Sequence, residues 1–231
     1  AGGEGSRFQS VPGANGIQKS AFVLPNGESM IERTINNYKS AGIQNFIILA
    51  YHNAESIEKL LGSGGKLGVH ISYSYDPEKP VGRGGAIKHA ILTGAIAKDK
   101  DLIVHNPDDQ LVGNSKEVIL DAVKTHIAEV EKGAVATAIM VPGTNYEFSG
   151  FNIVDGKVVG AEMYPFISIP THIGMTIFSP EAVNYFDKLF STTEKTDFEA
   201  VLFPVLTKEA RLSAHFVPND SWISVNDEKG L

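Results

Sequence analysis

The sequence predicts an α/β fold, a mainly parallel sheet with helices on both faces and a small β-rich insertion. Three observations carry this. Short apolar runs, NFIILAY at 45–51 and LIVH at 102–105, read as strands buried on both faces, as parallel strands are. Stretches with apolar residues at helical spacing separate them. Between 143 and 178 the texture changes to short strand-like pieces and turn residues with little helix.

In chain order, Ser29 to Ala41 carries Met30, Ile31, Ile35 and Tyr38 at helical spacing and is closed by Gly42. The strand 45–51 follows, then a helix over 53–61. Val69 to Tyr75 alternates like a half-buried strand, Gly84 to Ala97 reads as helix, and 102–105 is again strand. Ser115 to Glu131 predicts a long helix and 134–141 a strand. Within 143–178, FNIV and KVVGA flank the turn Asp155–Gly156, and HIGMTIF closes the insertion. Pro180 to Phe190 and Thr196 to Lys208 predict helices, with Pro180 and Asp197 near their first turns. Arg211 to Val217 is a last strand before the tail SWISVNDEKGL. Alternating strand and helix imply right-handed crossovers, and ligands on such sheets sit at the carboxyl ends of the strands. The loops after Tyr75 and His105 therefore share one rim with the first twenty residues.

With 231 residues, 42% of them apolar, the chain can bury one good-sized core, and a single domain over 1–231 is expected. The absence of cysteine excludes disulfides and thiol nucleophiles and fits a reducing cytoplasm. No apolar run approaches the roughly 18 residues of a membrane span, and no signal-peptide pattern is visible, so a soluble protein without membrane contact is expected. A net charge of −7 argues against a broad nucleic-acid surface. The scattered histidines offer no zinc-site spacing. A homo-oligomer is compatible with the sequence, which does not fix the oligomeric state.

The opening stretch AGGEGSRFQSVPGANGIQKS concentrates Gly2, Gly3 and Gly5 with Ser6, Arg7 and Lys19. Closely spaced glycines can turn backbone N–H groups toward one anion, and the two cations add full charges to that cradle. On an anionic molecule a phosphate site needs such a local reversal of sign. A mobile, linker-like end has the same composition. The dinucleotide fingerprint fails because Phe8 stands where its third glycine belongs, and a P-loop over 13–20 fails at Gln18.

The pattern that matches is G-G-x-G-[ST]-R, followed about ten residues later by Pro-Lys, of the sugar-1-phosphate nucleotidyltransferases. Here it reads Gly2-Gly3-Glu4-Gly5-Ser6-Arg7, then Gln18-Lys19. KPVGRGGAIKHA (79–90) resembles the family's P-L-G-T-G-G-A loop, LIVHNPDDQ (102–110) its strand ending in N-G-D, and WISVNDEKGL its W-I-D-x-G-T-x-E-D-L. The resemblance runs end to end, to the short form without a β-helix tail. It implies a Rossmann-like sheet, and an apolar strand immediately before a motif inside which residue 1 falls.

The activity this implies is attack of a sugar 1-phosphate on the α-phosphorus of a nucleoside triphosphate, giving a nucleotide-sugar and pyrophosphate with Mg²⁺ as cofactor. Arg7 would hold the β and γ phosphates, Lys19 the α-phosphate and the sugar phosphate, and Asp108 the Mg²⁺. The glycine loop with Ser6, and Gly82, Arg83 and Gly84, would hold the nucleotide. Asp76 or Glu78, before the second glycine loop, would read the base. Gly150, Glu162, His172 and Gly174 stand where family members hold the sugar. The expected division is therefore a nucleotide-binding part over 1–142, a β-rich sugar-binding part over 143–178, and C-terminal helices, strand and tail over 179–231.

Departures from the pattern also carry meaning. Ser224 replaces the second metal-binding Asp, Met163 a phosphate-binding Lys, Gln18 the Pro before Lys19, Pro107 the Gly of N-G-D, and Arg83 the usual Thr. Asp227, Asp109 or Arg83 are candidates to compensate. A working transferase with a diverged sugar pocket is one reading. The alternative is a paralogue that binds a nucleotide or nucleotide-sugar without turnover, as a regulatory or partner subunit.

Overall fold

The computed structural model describes residues 17–225, so Gly2, Gly3, Gly5, Ser6 and Arg7, with Asp227, lie outside the described residues. A short 3₁₀ turn at Lys19–Ala21 leads into helix α1 (Met30–Ser40). Ser29 caps α1 by accepting from the Glu32 amide at 3.2 Å, while the Glu32 carboxylate accepts from the Ser29 amide at 3.0 Å. This reciprocal box satisfies two otherwise orphaned donors at the helix start. Strand β1 (Asn45–Ala50), helix α2 (Ala54–Leu61), strand β2 (His70–Tyr75), helix α3 (Gly82–Leu92), strand β3 (Leu102–His105) and the short strand β4 (Asp109–Leu111) follow. Helix α4 (Ser115–Val130) and strand β5 (Ala136–Val141) lead to four peripheral strands, β6 (Thr144–Asn145), β7 (Ser149–Val154), β8 (Lys157–Met163) and β9 (Phe166–Ile167). Strand β10 (Thr171–Phe178), helices α5 (Ala182–Leu189) and α6 (Phe198–Lys208), and strands β11 (Leu212–Phe216) and β12 (Trp222–Ser224) complete the described chain.

The α/β class predicted from alternation is the one observed, and the sheet is mixed. β1 and β2 pair in parallel, as do β5 and β11, but β10 lies between β5 and β3 and runs antiparallel to both. Sequence texture grouped 172–178 with the insertion, whereas the structure places this strand in the central sheet. Its residues from Ile173 to Phe178 are all buried, as two-sided cover demands. Apolar texture cannot distinguish a parallel from an antiparallel partner, because direction is set by residues far away in sequence. Helix α3 also stops at Leu92 instead of Ala97, where Gly94 at φ +77° turns the chain.

The core is built on both faces of the sheet. On one side Phe178, Phe186 and Phe198 meet edge-to-face beneath α3, α5 and α6. On another, Ile119 and Ala122 of α4 pack with Ile139, Ile173 and Met175. Ile31, Ile35, Ile48 and Ile57 form a third cluster around β1. A cavity of 1280 Å³ runs between β1 and β3, walled by Ile47, Leu49, Ile103, Val104, Ile87 and Ile119. The ends of the strands and the start of α3, at Asp76, Gly82, Arg83 and Asn106, also line it.

The Ser29 box is the clearest single support of α1. Ser29→Ala is expected to lower the unfolding free energy by about 1 kcal/mol, read from urea denaturation, and an unchanged midpoint would show that the cap does not hold the helix.

Candidate active site

Lys19 and Asp108, 89 positions apart, meet at the end of β3. Lys19 Nζ lies 2.7 Å from Asp108 Oδ2, and the two side chains are 12% and 32% exposed. Lys19 is positioned by the 3₁₀ turn, in which the Gln18 side chain accepts from the Ser20 amide. Asp108 is held through its backbone, whose carbonyl accepts from the Val225 amide at 2.8 Å just beyond β12. The pair therefore joins the segment after the glycine-rich opening to the C-terminal strand.

The turn that presents Asp108 is locked by its neighbours. The Asp109 carboxylate points inward, accepting from Trp222 Nε1 at 3.1 Å and from Asn106 Nδ2 at 3.2 Å. A Cβ at Gly174 would overlap Asp109 Oδ2 and Asn106 Nδ2, and Gly174 also sits at φ +68°, so only glycine fits there. The Gly174 carbonyl accepts from the Asn106 amide at 3.1 Å. Behind the turn, His105 bonds the Asp109 carbonyl at 2.7 Å and the Tyr38 hydroxyl at 2.8 Å. Burial lowers the His105 pKa to about 4, so this ring is neutral. Burial, reinforced by the adjacent Asp108 charge, raises Asp109 to about 6 against the opposing hydrogen bonds from Asn106 and Trp222.

The second glycine loop opens α3. Gly82 takes φ +71° hard against the Thr196 backbone, and the Gly84 amide donates to the Thr196 carbonyl at 3.0 Å. A Cβ at Gly84 would overlap the Phe190 ring, so this glycine serves packing of α3 within the fold. Asp76 accepts from the Val81 amide at 3.0 Å, closing the turn before α3, and burial raises its pKa against that bond. Arg83 is held by Asp197 and Glu199, each at 2.7 Å, donates to Asn106 Oδ1 at 3.2 Å, and stands 4.9 Å over the Phe198 ring. Burial disfavours its charge, but Glu199 and Asp197 outweigh this and raise its pKa. Two carboxylates neutralise this guanidinium, so it adds little net charge for a triphosphate. Its contacts instead make it a tie between α3, α6 and the Asn106 turn.

His172 lies at the irregular part of β10, with Nδ1 3.4 Å from Glu199 and Nε2 3.0 Å from Thr176 Oγ1. Burial disfavours the Glu199 carboxylate, but His172 and Arg83 outweigh it and hold its pKa below the usual range. Gly150 and Glu162 face each other across the β7–β8 hairpin, and Met163 pairs with Ser149 there. Of the sugar-side candidates, the structure brings His172 and Gly174 to the rim beside Asn106 and Asp109, and keeps Gly150 and Glu162 on the hairpin. Ser224 pairs directly with Asp109. Asn106, Trp222, Asp197 and Glu199 were not singled out as site residues. Their sequence signals are the Asn of the N-P-D turn, the Trp that opens WISVNDEKGL, and an acidic helix start that reads as an ordinary cap.

Among the described residues, no group of three or more His, Cys, Asp or Glu gathers that could hold a metal. Asp108 is one partly exposed carboxylate, while Asp109 is turned into the fold. Mg²⁺ commonly binds through one or two carboxylates plus substrate phosphates and keeps several waters. This donor set fits a Mg²⁺ that arrives with a triphosphate. The large cavity has apolar walls between strand edges, and only its polar margin touches these residues. The polar strand-end rim is therefore the candidate site.

Fold and rim together define an α/β protein with a polar site at the carboxyl ends of its strands. The chain belongs to the nucleotidyl transferase family, whose model matches residues 1–163. It is 26% identical over 241 aligned positions to UTP–glucose-1-phosphate uridylyltransferase of Synechocystis sp., covering 97% of this chain but only 58% of that relative. Three solved structures share the fold, each covering all of this chain. A Bacillus anthracis protein described as a glucose-1-phosphate thymidylyltransferase, solved with sucrose, superposes with TM-score 0.70 at 17% identity over 89% of its length. HddC from Yersinia pseudotuberculosis gives 0.67 at 19% identity over 93%, and the inositol-1-phosphate CTP transferase of T. maritima 0.69 at 15% over 89%.

Asp109 sets a pH dependence. Its folded pKa of about 6 lies above the unfolded value near 4, so the stability this carboxyl contributes is fully present below pH 4 and is lost as pH rises through 6. Asp109→Asn abolishes this dependence. In chelated buffer, its stability relative to wild type should rise by up to about 3 kcal/mol between pH 4 and 7, measured by urea titration. A pH-independent difference would contradict the burial of that carboxylate.

Proposed function

We propose that this chain transfers a nucleotidyl group from a nucleoside triphosphate to a sugar 1-phosphate. The observation that carries this reading is the Lys19–Asp108 pair at the strand-end rim, two residues that the family motif singles out from opposite ends of the nucleotide-binding part. In the proposed reaction a sugar-phosphate oxygen bonds to the α-phosphorus as the bond from that phosphorus to the bridging oxygen breaks, and pyrophosphate leaves with the electron pair. No covalent enzyme intermediate is required, so catalysis is alignment and neutralisation of charge. Lys19 sits where its ammonium can pass from Asp108 to the α-phosphate. Arg7 is assigned the outer phosphates, with Gly2, Gly3, Gly5 and Ser6 supplying backbone and hydroxyl donors. Asp108 would hold Mg²⁺, which when bound neutralises phosphate charge. Asp76, Gly82 and the α3 start are assigned to the nucleoside, and Gly150, Glu162, His172 and Gly174 to the sugar.

The names of the relatives span uridylyl, thymidylyl and CTP transfer, so base and sugar must be read from a substrate screen. No helix among the described residues is long and apolar enough to cross a membrane. A second reading, a binding paralogue without turnover, is favoured by Ser224 beside Asp109 and by Met163, which is 64% exposed and uncharged. Pyrophosphate release across nucleoside triphosphates and sugar 1-phosphates with Mg²⁺ separates the two, since nucleotide binding without release in any combination favours the paralogue. Lys19→Ala should lower turnover by about a hundredfold or more with little change in melting temperature, and unchanged turnover removes Lys19 from the mechanism.

A further inference from the structure

The β7–β8 hairpin presents an uncovered apolar face. Strand alternation and the register Ser149↔Met163, Phe151↔Ala161 and Ile153↔Val158 put these six residues on one side, while Gly150, Asn152 and Glu162 point to the other. Phe151 is 60% exposed, Ile153 66%, Val158 61% and Met163 64%. No ionisable side chain interrupts this face. A two-stranded hairpin with neither face packed is marginal in water, so an ordered arm of this kind needs a cover. Beyond its own register, each strand of the hairpin has no further strand partner among the described residues.

We propose that this face is the interface through which two copies of the chain associate about a two-fold axis. Area and charge select that occupant. With Phe148 and Val159 at its margin, the patch exposes about 100 Å² per side chain, on the order of 600 Å² in all. A standard interface buries about 800 Å² per partner, of which about two-thirds is apolar in homodimers. The charged residues along the arm are Glu147, Asp155, Lys157 and Glu162, mostly acidic, which disfavours an anionic membrane surface. Two molecules of net charge −7 repel except where they meet through uncharged surface, and salt screens the remainder within about 8 Å at physiological ionic strength. An isologous contact needs only self-complementarity, which an unbroken apolar face supplies. The opposite face carries Gly150 and Glu162, so the contact would steady the arm on which those two residues sit.

The test is sedimentation velocity on the full chain at tens of micromolar in physiological salt, and it does not depend on catalysis. Wild type is expected as a two-chain species. Ile153→Lys combined with Val158→Lys should weaken association more than tenfold without changing the circular dichroism spectrum, because both side chains are already exposed. Val154→Lys, on the opposite face, should leave it intact. A single-chain wild type, a dimer unmoved by the double variant, or equal loss with Val154→Lys would each overturn the proposal.

Discussion

The 2.7 Å contact between Lys19 and Asp108 is the constraint on which the site depends. It closes a loop of 89 residues and fixes the segment before α1 against the turn after β3. A partly exposed ion pair is worth little by itself, about 0–1 kcal/mol, so it cannot be what holds the fold together. Its importance is positional. The surrounding hydrogen bonds keep Asp108 where a lysine arriving from the opening segment can reach it, and in the proposed reaction the two exchange this ion pair for contacts to phosphate and Mg²⁺.

That positioning comes from half-buried polar groups that partner one another. Asp109 occupies the space that the missing Cβ of Gly174 leaves, Asn106 links it to Arg83, and Arg83 links onward to Asp197 and Glu199. Removing one member leaves its partly desolvated partner short of a hydrogen bond, so the arrangement resists piecemeal change. The glycine loop at Gly82, the Asp108 turn and the β10 irregularity at His172 are thereby tied into one unit. Arg83 illustrates the result, since a cation in a glycine-rich loop serves here to join elements.

Much of this was legible in the sequence. Helical spacing and apolar runs located the six helices and most strands of the described residues, because those signals are local. Lys19 and Asp108 were singled out by motif and are found together. Strand direction was not legible. The antiparallel entry of β10 depends on pairing with β3 and β5, and nothing within HIGMTIF encodes it. Likewise the role of Gly174 follows from the Asp109 carboxylate 65 positions earlier in the sequence, and the acid pair Asp197 and Glu199 looks like a helix cap until Arg83 is seen between them. The open apolar face of the hairpin was hidden for the same reason, since alternation predicts an apolar side without saying what covers it.

The proposed reaction is direct transfer between two substrates held together at this rim. Exchange of labelled pyrophosphate into nucleoside triphosphate tests it most directly. Exchange is expected only when the matching sugar 1-phosphate or nucleotide-sugar is present, because in direct transfer no nucleotidyl group is parked on the protein. Exchange with triphosphate alone would contradict direct transfer, and no exchange with any pairing of triphosphate and sugar phosphate would contradict the activity itself.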